Sequence, residues 1–228
     1  MEFDGILLID KPSGWSSFDV VAKVRGTLKK QANKKVKVGH TGTLDPLATG
    51  LMIIVVGSYC KRASEFSKLD KTYEVTMRLG QNSSTGDEEG EKTDISDKKP
   101  SKDQVLDVLE GFVGESMQTP PIYSAIKVNG QRAYKLARKG EEVVIEPRKV
   151  RINSLDLTDY NYPEVKFTNS VSSGTYIRSL VEDIGKKLET GAYMSDLRRT
   201  IVGDFDLKNS IKIADVEGKA AESIIRPS

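Results

Sequence analysis

Cysteine and histidine are almost missing from this 228-residue chain, which has one of each. A lone cysteine, Cys60, excludes an internal disulfide, and one cysteine with one histidine cannot assemble a zinc cluster of the His/Cys kind, so no metal is expected. Also missing is any apolar run of ~18 residues, or an N-terminal charged-then-apolar signal, so the sequence reads as a soluble cytoplasmic protein with no membrane partner. Charge of one sign is missing in sum: 35 basic against 33 acidic residues leave +2, which by itself announces no polyanionic partner. Its distribution is uneven. Asp87, Glu88, Glu89, Glu91, Asp94 and Asp97 crowd one stretch, while Lys29, Lys30, Lys34, Lys35 and Lys37 form a basic run elsewhere, and setting the acidic stretch aside leaves a basic remainder. With 37% hydrophobic residues the chain can bury a sizeable core, and a single domain over residues 1–228 is expected.

Periodicity places the elements. Gly5 to Ile9 reads as a buried strand, followed by the turn-rich Asp10-Lys11-Pro12-Ser13-Gly14. A helix capped by Ser16 or Ser17 should bury Phe18, Val21, Val24 and Leu28. The glycine-dense stretch from Gly39 to Gly50 then opens onto the apolar run Leu51 to Val56, a loop entering the core. Lys71 to Leu79 alternates, with Tyr73, Val75, Met77 and Leu79 on the inner face of a half-buried strand. Asn82 to Pro100 reads as a polar surface loop, and Ser101 as the cap of a helix carrying Val105, Val108, Leu109 and Phe112. Strands are expected at Ile122 to Val128, Val143 to Ile145, Val150 to Leu157 and Val165 to Val171, with a short basic helix around Arg132 to Lys139. Thr175 should cap a helix carrying Ile177, Leu180, Val181, Ile184 and Leu188, before a last strand region from Met194 to Phe205. The pattern is that of a strand-heavy α+β protein without internal repeats.

Few residues stand out chemically. Asp45, between Leu44 and Pro46, projects from irregular chain beside a buried strand, a place for a catalytic carboxylate, although an Asx turn or a helix cap fits the local sequence as well. A phosphate-binding P-loop is excluded, because Gly50 is followed by Leu51 and Met52 rather than by Lys and a hydroxyl residue. Arg178 breaks a local rule: in the first turn of its helix a cation opposes the macrodipole by ~0.3–1 kcal/mol unless an anion is near. An ion pair with Glu182 at i+4 is the ordinary alternative. Tyr73, Tyr176 and His40 read on location alone as packing or loop residues. Arg132, Lys135, Arg138, Lys139, Arg148, Lys149 and Arg151 flank Pro120-Pro121 and suit either phosphate contacts or a solvated face.

The segments DKPSGWSSFDVV, GHTGTLDPLATG, KTYEVTMRLG, PPIYSAIKVNGQRAY and SSGTYIRSLVEDIG, followed by LRRTIVG, occur in that order. In them the chain resembles the TruB family of tRNA pseudouridine-55 synthases, from about Gly5 to Phe205. The resemblance implies the pseudouridine synthase fold: a mixed, mostly antiparallel sheet flanked by helices and loops, with an RNA-gripping insertion at about 114–151. It implies isomerisation of a flipped uridine to pseudouridine in the T loop of tRNA, without a cofactor, by a monomer that recognises the T-arm stem-loop. Asp45 matches the catalytic aspartate, Tyr73 the tyrosine that stacks on the uracil and is the candidate base, and Arg178 the arginine that pairs with the aspartate. Tyr176 and Leu197 match residues lining that pocket, His40 one that holds the extruded nucleotide, and Lys11 a motif residue with a structural or RNA-contacting part. Ser83 stands where relatives often carry Thr, and Ser172 where Cys is frequent. The chain stops at Ser228, which leaves no room for the C-terminal PUA-type domain of many bacterial members. The rival reading is a non-catalytic RNA-binding or tRNA-folding protein with the same pocket, and the presence of both Asp45 and Arg178 favours the enzyme.

Overall fold

The computed structural model describes residues 3–128, 130–141 and 143–227. In chain order its strands and helices are β1 (Gly5–Lys11), α1 (Ser17–Ala32), β2 (Val38–His40), β3 (Thr49–Val56), α2 (Ala63–Ser67), β4 (Lys71–Leu79), β5 (Gln81–Ser83) and β6 (Lys92–Asp94). There follow α3 (Lys102–Glu110), β7 (Gly114–Gln118), β8 (Lys127–Val128), β9 (Gln131–Arg132), α4 (Ala133–Ala137), β10 (Arg148–Asn161), β11 (Glu164–Val171), α5 (Ile177–Leu188) and β12 (Ala192–Val202). The chain closes with β13 (Phe205–Asp206), β14 (Ile211–Lys212) and α6 (Val216–Lys219). It divides into two compact units, one made of the residues up to Glu74 with those from Leu197 onward, the other of Val75–Asp196.

In the first unit β1 and β3 pair antiparallel from Gly5↔Val56 to Lys11↔Gly50, and β3 also takes β2 antiparallel and the end of β12 parallel through Arg198↔Thr49 and Arg199↔Gly50. Strands β1 and β3 are apolar without alternation because both of their faces are buried. Ile6, Leu8, Leu51, Ile53, Val55, Phe66 and Val202 form one core cluster. Ser16 caps α1 in a capping box with Asp19, as the serine pair suggested. The buried stripe of that helix is Ser17, Val20, Val21, Val24, Thr27 and Leu28, and Phe18, expected inside, is 66% exposed. At 100° per residue Phe18 lies well outside the arc centred on Val24.

In the second unit β10 pairs antiparallel with β11 and with β7, β5 with β6 and β8 with β9, and Asp87 bridges Met194 in parallel. Strand β4 alternates as its sequence predicts, and Ser101 makes the expected capping box with Gln104 at the start of α3. Three expectations are corrected. No strand occupies residues 143–145, and Val144 is 70% exposed. Of Ile122 to Val128 only Lys127–Val128 is extended ladder, paired with Gln131–Arg132. Thr175 does not cap α5, because its hydroxyl donates to Ser172 O at 2.9 Å inside the preceding turn and Tyr176 occupies the cap position without a side-chain bond. The mixed, mostly antiparallel α+β class is as expected.

Two glycines give opposite expectations. Gly50 has φ +103°, and a Cβ there would lie 2.2 Å from Arg199 O, whereas a Cβ on Gly26, inside α1, meets nothing within 4 Å. Urea unfolding of Gly50→Ala should show a loss of at least about 2 kcal/mol or no soluble protein. Gly26→Ala should gain roughly 0.5–1 kcal/mol at an unchanged m-value.

Candidate active site

The loop that carries Asp45 is held almost entirely through its backbone. Lys11, at the end of β1, is fully buried, and its Nζ donates to Pro12 O (2.9 Å), Trp15 O (2.7 Å) and Pro46 O (3.1 Å). Three carbonyls use all three ammonium donors, so Lys11 offers no surface to a ligand and its part is to fix the loop. Burial pushes its pKa down to about 8, while the nearby Asp45 carboxylate resists that shift. From the other side Ser17 Oγ accepts from Leu44 N at 2.8 Å and lies 2.9 Å from Leu44 O, and Gly14 N donates to Pro46 O at 2.9 Å. The residues on both sides of Asp45 are therefore fixed to the first turn of α1 and the turn before it. Ala48 N donates to Asp45 O at 3.1 Å, closing a backbone turn over Pro46 and Leu47, while the Asp45 side chain is half-exposed. Arg199, 2% exposed, completes the frame by donating from Nε to Leu51 O (2.7 Å) and from Nη2 to Gly42 O (3.2 Å).

In the second unit Arg178 is 5% exposed in the first turn of α5. Its Nη1 donates to Thr85 O at 3.0 Å and lies 3.6 Å from Asp87 Oδ2, and its Nη2 donates to Tyr123 O at 2.8 Å. Asp87 thus supplies an anion beside the guanidinium at this helix position. The Asp87 carboxylate is itself held, its Oδ1 accepting from Thr85 Oγ1 (2.5 Å) and Glu89 N (3.1 Å). Asp87 belongs to the stretch read as a surface loop, and its burial had no signal in a run of similar acids. Tyr176 precedes Arg178 at the cap of α5, and the Gln118 side chain takes both its backbone groups, accepting from Tyr176 N (2.8 Å) and donating to Tyr176 O (3.0 Å). The Arg148 guanidinium lies 4.8 Å from the Tyr176 ring centroid.

The remaining sequence-derived residues lie in the first unit. Tyr73 (7% exposed) sits on the inner face of β4 and Leu197 (7% exposed) on β12. His40 ends β2 opposite Ile54, half-buried, with Nδ1 buried and without a hydrogen-bond partner among the described residues. Burial first, and then the Arg199 guanidinium, hold its pKa below the ordinary 6.5. The folded chain therefore keeps His40 neutral at a pH where the unfolded chain has protonated it, and that stability, complete above about pH 6.5, is lost as pH falls. Because His40 is the only histidine, the effect is separable. Between about pH 7.5 and 5.5 the Tm of wild type should fall further than that of His40→Gln, and equal shifts would show that His40 titrates alike in both states.

Comparison with known proteins bears on this arrangement. A model of the TruB family pseudouridylate synthase N-terminal domain matches residues 29–177, and one of the tRNA pseudouridylate synthase B C-terminal domain matches residues 178–226. The chain is 44% identical over 216 residues to the tRNA pseudouridine synthase B of Dechloromonas aromatica, covering 95% of this chain and 71% of that protein. It is 42% identical over 217 residues to the tRNA pseudouridine synthase B of Opitutus terrae, covering 95% and 88%. Among solved structures it is similar to a chain of a Cbf5-Nop10-Gar1 complex, with a TM-score of 0.71 and 29% identity over 92% of this chain and 53% of that one. A chain of an H/ACA RNP bound to a substrate RNA containing 2'-deoxyuridine gives a TM-score of 0.67 at 27% identity, over 92% and 51%. The chain spans about half the length of these two structures and adopts their pseudouridine synthase fold. Matched by both models in succession, across the Asp45 loop and on through α5, the chain belongs to the TruB family of pseudouridylate synthases.

Proposed function

We propose that this chain isomerises uridine to pseudouridine in tRNA, at position 55 of the T loop, with Asp45 as the catalytic carboxylate. The observation that carries the reading is the Asp45 loop: a half-exposed carboxylate on a backbone fixed by Lys11, Ser17 and Arg199, in a chain more than 40% identical to proteins named tRNA pseudouridine synthase B. A fixed backbone holds a reacting group in one geometry, which a displacement at a single ribose requires. The reaction breaks the bond from ribose C1′ to uracil N1 and forms one from C1′ to C5, with C5 losing a proton to water and N1 gaining one. No cofactor is needed. Asp45 serves as an anion, whether it attacks covalently or helps to remove the ribose 2′ proton.

The other residues take the parts that the family resemblance gives them. Tyr73 replaces the stacking that the uridine loses on leaving its helix and is the candidate base. Tyr176 and Leu197 line the pocket, His40 holds the extruded nucleotide, and Arg178 is the arginine partner of the catalytic aspartate. The segment from 114 to 151, which includes the β8–β9 hairpin and α4, grips the T arm. We read residues 1–228 as one catalytic domain that works as a monomer in the cytoplasm.

A tRNA transcript tritiated at uracil C5 should release close to one equivalent of label to water when incubated with the protein alone, and a transcript with cytidine at the T-loop target should release almost none. Silence from the first transcript, with the protein folded and binding RNA, would leave a non-catalytic RNA-binding protein. Asp45→Asn should bind tRNA nearly as wild type but release label at under about a tenth of its rate. Arg178→Lys should also be strongly impaired, because one ammonium cannot reach Thr85 O, Tyr123 O and Asp87 together as the guanidinium fork does. Near-normal turnover of that variant would remove Arg178 from the machinery.

A further inference from the structure

From Val20 to Leu44 the chain has no carboxylate and seven cations: Lys23, Arg25, Lys29, Lys30, Lys34, Lys35 and Lys37. Lys23 pairs with Glu217, and Arg25 is turned to Val38 O. The five others are exposed, and none of them forms an ion pair among the described residues. Lys29 and Lys30 stand in the last turn of α1, where they offset the helix dipole. That account does not extend to Lys34, Lys35 and Lys37, which lie beyond the Asn33 cap. Five exposed cations within nine residues repel one another, a cost that a bound polyanion reverses.

The patch also has a defined relation to the Asp45 loop. The solvent face of α1 runs through Phe18, Ala22, Gly26 and then Lys29 and Lys30, so the lysines share a face with the residue next to Ser17, whose hydroxyl holds Leu44. Sixteen residues of helix set the two ends about 24 Å apart. A uridine engaged at Asp45 would thus leave the lysines opposite RNA outside its own loop.

We propose that the exposed lysines at the end of α1 and in the segment before β2 form a second RNA-binding surface, which takes backbone phosphates of the tRNA outside the loop that carries the target uridine. The inference rests on the proposed tRNA substrate. It adds phosphate contacts that are blind to sequence and sets no base preference.

The test is binding of full-length tRNA across a salt series, compared between wild type, a variant with Lys29, Lys30, Lys34 and Lys35 all changed to Gln, and one with the same four changed to Arg. Exposed and without ion pairs among the described residues, these side chains can be replaced without unfolding the chain, which a thermal melt verifies. The Gln variant should bind at least about tenfold more weakly near 50 mM salt, and its slope of log affinity against log salt should be shallower by about one for each phosphate that is no longer neutralised. The Arg variant should keep both, and release of tritium at saturating tRNA should be unchanged in all three. Wild-type affinity and slope in the Gln variant would overturn the proposal, as would an equal weakening in the Arg variant. So would loss of binding to phosphatidylserine-containing vesicles with tRNA binding intact, since the patch would then serve a membrane surface. Because the readout is binding, a wild type that binds tRNA but releases no tritium defeats the proposed activity and leaves this inference standing.

Discussion

Two buried cations hold the loop from Gly39 to Gly50, and both act on backbone carbonyls. Lys11 collects Pro12, Trp15 and Pro46, and Arg199 collects Gly42 and Leu51. A loop rich in glycine has little side-chain packing with which to order itself, so its conformation is set by where its carbonyls find donors. Burying an ammonium is costly, and the cost is offset here only because all three of its protons are taken. The same arrangement bears on the electrostatics: burial, with the Arg199 guanidinium adding to it, holds the pKa of His40 below its ordinary value, and the Asp45 carboxylate opposes the burial that lowers Lys11.

Arg178 follows the same logic in the second unit. A cation at the start of a helix is unfavourable by itself, and there it is buried beside Asp87 with two carbonyls on its fork. The pair is a positioning device more than a source of net stability, since a buried ion pair gains little over an apolar packing of the same volume. It fixes the guanidinium plane, and it places the Thr85–Glu89 turn against α5.

Much of this was legible in the sequence and some was not, for physical reasons. The buried strands β1 and β3, the alternation of β4 and the serine caps of α1 and α3 follow from local rules that tertiary structure did not override. Asp45 stood out because a carboxylate between Leu44 and Pro46 on a glycine-dense loop is unusual, and the ordered series of motifs supplied the family. Lys11, Arg199 and Asp87 were harder to place. Charged side chains are normally read as exposed, and nothing local marks the one lysine in a turn, or the one acid among six, that is buried. Phe18 erred the other way: a hydrophobic residue one position off the buried stripe reads as core, although the helix turns it outward. Thr175 suits a helix cap, but its hydroxyl was already engaged by Ser172 one turn earlier.

The segment from Gln118 to Tyr123 is stitched to the start of α5 at three successive places: Gln118 to the backbone of Tyr176, Thr119 O to Ser179 Oγ, and Tyr123 O to Arg178 Nη2. Gln118 is also the last residue of β7, in register with Arg148 of β10. Tyr123 and Arg148 are therefore the two moorings of the arm that carries the β8–β9 hairpin and α4, and both are joined to the opening of one helix, Arg148 through Gly174 O and the Tyr176 ring. Both ends of the arm are thus tied to the same short stretch of chain, the residues from Gly174 to Ser179.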